Sequence, residues 1–389
     1  MAESVTGPQW FATSAQCLEQ TTVNELTRLG ATDTRIVPGG VYFSGDHRVL
    51  YRALLELRTA HRLLKPLREF AAVTAEMLYS QTRRVVWESF LNPERTFAVF
   101  ATFEQGKGSH GIKQSQFAAL KVKDAIVDRL RREQGARPNI DTKHPDVRVH
   151  AHFAGGRCAL SLDGAGASLH ERGYRLAATD APLRETLAAG MLELTGWDGT
   201  VPLYDPFCGS GTIAIEAALQ ARRIAPGLLR SKFGVELWPD FNRDLWNEVL
   251  AETRARVLPQ TPTWIGGSDL DVAAIRASEE NAERAAALAQ SGSLGLKFFP
   301  GNAEEVEPPT DTPGIIVVNP PYGERMGTSD EVRRLYLSLS EVWPKRFKGW
   351  RAYILVGNLK LARYLEMHAI QKIKLRNGPL ECRLLRFDF

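Results

Sequence analysis

The sequence has few cysteines and no long apolar run. Its 389 residues include four widely separated cysteines that form no C-x-x-C pair: Cys17, Cys158, Cys208 and Cys382. This spacing predicts neither a zinc site nor a disulfide framework and is typical of proteins from a reducing cytoplasm. No segment approaches the roughly 18 consecutive apolar residues of a membrane helix, and residues 1–4 lack the basic start of a secretion signal. We therefore expect a cytoplasmic protein without a metal site or a membrane span.

Net charge is also low, at +4, but it is unevenly distributed. Residues 1–168 contain 22 Lys and Arg against 17 Asp and Glu, a net charge of +5, whereas residues 169–389 contain 27 against 28, a net charge of −1. A mildly basic front half joined to a neutral second half suits a polyanionic substrate. Ordinary surface variation would give the same difference, and it remains the alternative.

The first candidate site follows a short apolar run, Val201–Tyr204. This run ends in Asp205 and leads through D-P-F-C-G-S-G into a predicted helix. Strand, glycine turn and helix form the first crossover of a doubly wound sheet, where ligands lie beyond the carboxyl end of the strand. Gly209 and Gly211 would let the backbone approach a ligand and adopt positive φ. A tight turn without a ligand explains the two glycines about as well, and Cys208 has no neighbouring His that would favour a nucleophile.

The second candidate site follows the buried strand Ile315–Val318 and has the sequence Asn319-Pro320-Pro321-Tyr322. Proline cannot continue a central strand, and it holds the residue before it in an extended conformation. The backbone should therefore be stiff where Asn319 emerges, with Tyr322 close behind. A strand-ending turn without chemistry is the alternative explanation.

Together, D-P-F-C-G-S-G and N-P-P-Y resemble motifs I and IV of class I S-adenosylmethionine (SAM) methyltransferases that modify exocyclic amines. The resemblance implies an α/β, Rossmann-like fold with a seven-stranded sheet, and SAM as cofactor. Asn377-Gly378 predicts the hairpin that closes this sheet. The predicted cofactor contacts follow successive strands: Asp205, Phe207, Cys208, Gly209, Gly211, Asp269, Leu270, Asn302, Ala303 and Asn319.

Two of these positions, Asp269 and Asn302, have specific predicted roles. A carboxylate at Asp269 can accept both ribose hydroxyls, and we interpret Asp271 as the N-cap of the next helix. Asn302 stands where many relatives carry an Asp that binds the adenine amino group, and its amide oxygen can accept the same bond.

The front half is predicted to be an α+β module with an antiparallel sheet. Its strands include Val85–Trp87 and a final hairpin turned at Gly155-Gly156, and its best helix is predicted at Gln116–Glu133. The apolar stripe of that helix is predicted to consist of Leu120, Ile126, Val127 and Leu130.

Short motifs in this half resemble the ferredoxin-like plus THUMP region of bacterial 23S rRNA guanine-N2 methyltransferases. They are F-A-T at Phe11, G-G-V at Gly39, R-T-A at Arg58 and K-V-K-D-A-I at Lys121. The resemblance implies an RNA-binding region at residues 1–168, a methyltransferase domain at residues 169–389 and structured RNA as the partner. The predicted RNA contacts are cationic: Arg83, Arg84, Lys107, Lys113, Lys121 and Lys123. Residues 222–262 lengthen the segment after the glycine turn, either as a flap near the substrate or as a structural appendage.

The family resemblance implies methylation of the exocyclic N2 amine of a guanosine, in 23S rRNA. The Asn319 side-chain oxygen and the Pro320 carbonyl would accept the N–H bonds of this amine, and the ring of Tyr322 would stack on the extruded base. The alternatives are methylation of adenine N6 or of another exocyclic amine or amide, and a non-catalytic RNA-binding or folding factor. The sequence leaves the modified nucleotide and the oligomeric state open.

Overall fold

The computed structural model describes residues 9–104, 111–176, 183–321 and 329–389, which build two sheets flanked by helices. The front half contains β1 Gln9–Ser14, α1 Glu19–Arg28, β2 Thr32–Val37, β3 Gly40–Ser44, α2 His47–Glu56, β4 Ala60–Ala71, α3 Ala75–Thr82, β5 Thr96–Phe103, α4 Ser115–Gln134, β6 Asn139–Ile140, β7 Val147–Ala154 and β8 Arg157–Asp163. Its eight strands form one sheet in the order β2-β3-β1-β4-β8-β7-β5-β6.

Strand β4 joins the two parts of this sheet. It is 12 residues long and pairs with β1 near its start and with β8 along the rest of its length, and Leu64 lies opposite both Phe11 and Asp163. Sequence patterning did not predict this strand. The cationic residues and Pro66 of this segment are not typical of a strand. Pro66 lies where the pairing register with β8 shifts, between Pro66 and Arg68, and such an irregularity tolerates a residue without an N–H.

Three predictions for the front half are wrong. The sheet is mixed rather than antiparallel, because β5 runs parallel to both β6 and β7. No strand forms at Val85–Trp87; instead, residues Trp87–Ser89 form a 3-10 turn in which the buried Trp87 indole donates to the Thr82 carbonyl at 2.8 Å. In α4, Leu120 is 49% exposed rather than part of the stripe. The buried stripe is formed by Ala118, Val122, Ala125, Ile126 and Leu130.

The second half contains α5 Glu185–Thr195, β9 Leu203–Asp205, α6 Thr212–Ala221, α7 Arg243–Ala255, β10 Ile265–Asp269, α8 Val272–Leu288, β11 Lys297–Pro300, β12 Ile315–Val318, α9 Ser329–Arg346, β13 Arg351–Val356, β14 Gln371–Asn377 and β15 Leu380–Asp388. The strand order is β11-β10-β9-β12-β13-β15-β14. β15 runs antiparallel to both of its neighbours, β13 and β14, and the other neighbouring strands of the sheet are parallel. The seven-stranded sheet and its closing hairpin, turned at Gly378 with φ 60°, are confirmed.

Residues 222–262 connect the two halves. Their apolar side chains are divided between two cores. The core of the front half contains Phe233, Val235, Trp238, Trp246 and Val249, and a core of the second half contains Ile224, Ala225, Leu228 and Leu229. Trp238 stacks on Trp10 with ring centroids 6.2 Å apart. Polar contacts follow the same boundary, since Lys65 Nζ lies 2.6 Å from Asp240. This arrangement favours the structural appendage over the flap.

A buried arginine, Arg172, stabilises the segment that connects the two halves between β8 and α5. Arg172 is 1% exposed, donates to the Arg58 carbonyl at 2.6 Å and lies 3.5 Å from the buried carboxylate of Glu216. Arg58 in turn donates to the Ile224 carbonyl at 2.8 Å. Because an unpartnered buried charge is costly, these bonds fix the chain's passage from one sheet to the other.

Candidate functional site

The carboxyl ends of neighbouring parallel strands bring the predicted site residues together. Strand β9 lies between β10 and β12, with Asp205 opposite Gly267 and Tyr204 opposite Ile316. Asp205 and Asp269 end β9 and β10, and Asn319 follows β12. In open parallel sheets this edge is where ligands bind.

The glycine turn after β9 is held in one conformation. Gly209 and Gly211 have φ values of 51° and 79°, a backbone conformation that residues other than glycine rarely adopt. A Cβ at Gly211 would also lie 3.1 Å from Ser278 and 3.2 Å from Phe298. The Ser278 hydroxyl donates to the Gly209 carbonyl at 2.7 Å, so a side chain of α8 stabilises the turn.

Asp269 binds this turn with one oxygen and the entry to α8 with the other. Its Oδ2 accepts the Gly209 N–H at 2.9 Å, and its Oδ1 accepts the Asp271 N–H at 3.0 Å. The interpretation of Asp271 as a helix cap is confirmed, because its Oδ1 accepts the Ala273 N–H at 2.8 Å. Asp269 thus has a structural role that the sequence did not reveal, and its predicted ribose contact stays a prediction.

Burial dominates the electrostatics of the turn. It raises the pKa of Asp205 well above its usual value, and the nearby Asp269 carboxylate adds to the effect. Burial, with Asp205, also raises the pKa of the Cys208 thiol well above its usual value. A thiol in this state is a poor nucleophile. Cys208 therefore acts as a small side chain in a packed turn.

Arg175 is the residue that sequence reasoning missed. Its guanidinium donates to the Ser210 and Thr212 hydroxyls at 3.2 Å each, on the turn and at the start of α6. It also lies 2.9 Å from Glu185 at the start of α5. The R-G-Y-R segment was visible in the sequence, but the partners that give its second arginine a role come together only in the fold.

The remaining predicted cofactor contacts differ in exposure. Leu270 is 76% exposed beside Asp269, and Phe207 is half-buried 6.4 Å from the ring of Trp343. The Asn302 side-chain oxygen accepts the Glu304 N–H at 3.1 Å, which leaves this oxygen one lone pair for another donor. Ala303 is buried, and its carbonyl accepts the Trp343 indole N–H at 2.9 Å.

Asn319 presents an acceptor without a donor. Its Oδ1 is buried, and no donor of the described residues reaches it. Pro320 is buried, and the Pro321 carbonyl accepts the Tyr336 hydroxyl at 3.0 Å, so the segment after β12 is fixed from α9. Tyr322 lies outside the described residues. A buried unpaired oxygen is costly unless a ligand supplies the donor.

The predicted RNA contacts divide into two groups, and Lys107 lies outside the described residues. Lys121 and Lys123 line a cleft of about 560 Å³ beside α4, together with Arg131 and Arg137. Lys113 and Arg84 are exposed and do not line the cleft. The guanidinium of Arg83 lies 5.6 Å from the ring of Tyr79, at the end of α3.

The described ranges contain neither a candidate metal site nor a candidate membrane span. No three His, Cys, Asp or Glu side chains there gather in a group that could hold a metal ion. No helix there is both long and apolar enough to cross a membrane.

Three family descriptions match consecutive parts of the chain. Residues 172–386 match "RMKL-like, methyltransferase domain", residues 72–163 match the THUMP domain, and residues 9–64 match the RlmL ferredoxin-like domain. A Synechocystis sp. protein provisionally named an RNA methyltransferase is 38% identical over 100% of this chain and 98% of its own length. The ribosomal RNA large subunit methyltransferase K/L of Syntrophotalea carbinolica is 41% identical over 98% of this chain. The chain spans about half of that relative's length, 53%.

Solved structures give the same architecture. A proposed methyltransferase complexed with SAH has a TM-score of 0.84 and 28% identity, with 98% of each chain covered. A Listeria monocytogenes protein, predicted to be an N6-adenine-specific DNA methylase, has a TM-score of 0.83 and 32% identity, covering 98% of this chain and 96% of its own.

Proposed function

The chain belongs to the RMKL-like methyltransferase family, and on that premise we propose that it transfers a methyl group from SAM to the exocyclic N2 amine of a guanosine in 23S rRNA. Its relatives named ribosomal RNA large subunit methyltransferase K/L support rRNA as the substrate. The basic front half, with a THUMP match at residues 72–163, supports RNA as the partner.

The observation that carries the proposal is the buried, unpartnered Oδ1 of Asn319 among the described residues. It lies at the carboxyl end of β12, next to the strand that leads into the glycine turn. An exocyclic amine offers two N–H donors, and Asn319 Oδ1 together with the Pro320 carbonyl offers two acceptors. Such an amine would satisfy the oxygen that the fold leaves unpaired.

The acceptors also explain why the amine would react. Conjugation with the purine ring delocalises the nitrogen lone pair and makes the amine a poor nucleophile. Two acceptors aimed at its N–H bonds draw the nitrogen toward tetrahedral geometry and localise that lone pair. SAM, when bound, would supply the methyl group: the amine nitrogen would attack the methyl carbon, the C–S bond would break with S-adenosylhomocysteine as the leaving group, and the methylated nitrogen would release one N–H proton to solvent. The protein's contribution is then orientation, which can be large in rate.

Residues around the glycine turn suit SAM. The Asp269 carboxylate would bind the ribose, with the exposed Leu270 beside it and Asn302 and Ala303 on the adenine side. Gly209 and Gly211 let the ligand approach the backbone, and Phe207 and Cys208 complete the turn. Because burial raises the pKa of Asp205, a cationic ligand near this carboxyl would favour its ionised form.

The test compares variants of Asn319 on undermethylated 23S rRNA. Asn319→Ala should reduce single-turnover methylation by roughly 10²–10³, because one preorganised polar contact is lost. Its SAM affinity should change little, since the glycine turn and Asp269 stay intact. Asn319→Asp should retain part of the activity, because a carboxylate still accepts N–H bonds. Asn24→Ala, on the exposed face of α1, is the matched control.

Nucleoside mass spectrometry of the product identifies the methylated base. N2-methylguanosine is expected. N6-methyladenosine from rRNA, or N6-methyl-2′-deoxyadenosine from a parallel reaction with DNA, would support the alternative suggested by the Listeria protein's name. SAM binding without turnover on any RNA would indicate a binding factor. Wild-type turnover by Asn319→Ala would remove Asn319 from the mechanism.

A further inference from the structure

The eight-stranded sheet has a second face, opposite its helices. Side chains alternate along each strand, and those that point toward α2 and α4 belong to the buried core of the front half, such as Val41 and Val149. The side chains between them point the other way, and Phe11, Tyr42 and His150 among them are half-buried. Others on this face are buried, such as Ser44 and Asp163. We call this surface the outer sheet face and define it by Arg35, Tyr42, Phe11, Arg148, His150 and Phe100.

One aromatic pair lies on neighbouring strands at one end of the outer sheet face. Phe11 and Tyr42 are opposite each other on β1 and β3, with ring centroids 4.6 Å apart. Arg35 lies opposite Tyr42 on β2 and places its guanidinium 4.7 Å from the tyrosine ring centre. Rings and a guanidinium plane are the side chains on which nucleobases stack.

A second aromatic pair repeats this arrangement on the THUMP side. Phe100 and His150 are opposite each other on β5 and β7, stacked with centroids 5.6 Å apart and an interplanar angle of 23°. Arg148 places its guanidinium 5.0 Å from the Phe100 ring centre. The two pairs are four strand spacings apart, roughly 19 Å at about 4.8 Å for each spacing.

The charge between the pairs suits a polyanion. Arg62 and Arg157 point to the outer sheet face, where each is paired with a carboxylate, Asp163 or Glu69. Within the described part of the chain, neither Arg35 nor Arg148 lies within 4 Å of a carboxylate. The face therefore keeps two cations beside its rings that can bind phosphate, the combination that holds single strands.

We propose that the outer sheet face binds unpaired RNA nucleotides by stacking them on the rings of Phe11, Tyr42 and Phe100. The His150 ring, which is 13% exposed and lies 3.3 Å from the Asp163 carboxylate, supports Phe100. This proposal rests on the proposed function in that it takes RNA as the partner. It assigns the unpaired part of that RNA to a surface separate from the cleft of Lys121 and Lys123. Stacking would give this surface an affinity for single strands that depends little on sequence.

The test measures binding of the full-length protein to a labelled oligoadenylate RNA by fluorescence anisotropy at several salt concentrations. Tyr42→Leu and Phe100→Leu keep an apolar side chain but remove the ring. Each should weaken binding by at least about fivefold, with an unchanged slope against salt, because stacking is lost while the phosphate contacts remain. Tyr364→Leu is the control, since Tyr364 also lies beneath an arginine, 4.9 Å from Arg333, but in the second half of the chain.

Thermal unfolding of each variant confirms that the fold is retained. The proposal is overturned if the wild type does not bind the single strand, if the two variants bind like Tyr364→Leu, or if they lose affinity equally for a fully paired RNA hairpin. SAM binding and rRNA methylation by the wild type are measured in parallel. Methylation that persists while the stacking result fails removes only this inference, whereas absence of SAM binding removes the proposed function itself.

Discussion

Replacing Asp269 is the sharpest test of the cofactor assignment, because the carboxylate holds the glycine turn as well as facing the proposed ribose. Asp269→Ala removes the acceptor for the Gly209 N–H at 2.9 Å and for the Asp271 N–H at 3.0 Å. Bonds to charged groups are worth about 1.5–3 kcal/mol each. Asp269 is partly exposed and solvent weakens both bonds, so we expect their joint loss to lower the free energy of unfolding by about 1.5 kcal/mol, the low end for a single such bond.

The loss of SAM affinity should be larger than that of stability. A displaced turn and a missing ribose acceptor act together, and a loss of about 1.5–3 kcal/mol corresponds to a roughly 10- to 150-fold higher Kd. Asp269→Asn should not rescue binding. An amide has one acceptor oxygen where the carboxylate has two. In Asp269→Asn the amide nitrogen, which is itself a donor, would therefore face the N–H of either Gly209 or Asp271 and could not accept its hydrogen bond.

Calorimetric titration with SAM and denaturant unfolding measure the two effects separately. Asp271→Ala is the matched control: losing the helix cap should cost about 1 kcal/mol of stability and leave SAM affinity unchanged. Wild-type affinity in Asp269→Ala would refute the assignment. If Asp271→Ala were the variant that lost affinity, the ribose contact would move to that residue.

Two further predictions concern the join between the halves. Deleting residues 1–168 uncovers the apolar side chains of the insertion, including Trp238 and Trp246, so the remaining fragment should aggregate on size-exclusion chromatography; a monomer that unfolds cooperatively would contradict this. Burial lowers the pKa of His61 to about 3 in the folded protein, so on acidification the His61 imidazole of the unfolded chain binds a proton before that of the folded chain. The free energy of unfolding should therefore fall as pH drops from about 6.5 toward 3. His61→Gln should make unfolding less sensitive to acid in this range, and an unchanged pH dependence would exclude His61 as the cause.

The strand ends of the site could be predicted from sequence because each is marked locally. Asp205 precedes a glycine turn, and Asn319 separates four β-branched residues from two prolines. No comparable mark identifies Arg175, because its bonds to Ser210 and Thr212 join residues that are distant in sequence. For the same reason the second role of Asp269, as a support for Gly209, became visible only in the fold.

In the front half, local patterns were less reliable. The helix of α4 was predicted within a residue of its observed ends, but 3.6-residue spacing alone placed the exposed Leu120 in its stripe. Strand β4 escaped prediction because Pro66 and its cations read as a loop. Its pairing with β8, about a hundred residues later, supplies the stabilisation that local sequence does not.

The insertion at residues 222–262 holds the two halves at a fixed distance from each other. It leaves the second half after α6 and returns at β10, and between these points it seats Trp238 and Trp246 in the core of the front half. The two halves cannot swing apart without pulling both indoles out of that core. If the proposed RNA substrate contacts both halves at once, the distance between its docking element and its target base must match the fixed distance between the two surfaces. An RNA with a different distance would have to bend in order to bind.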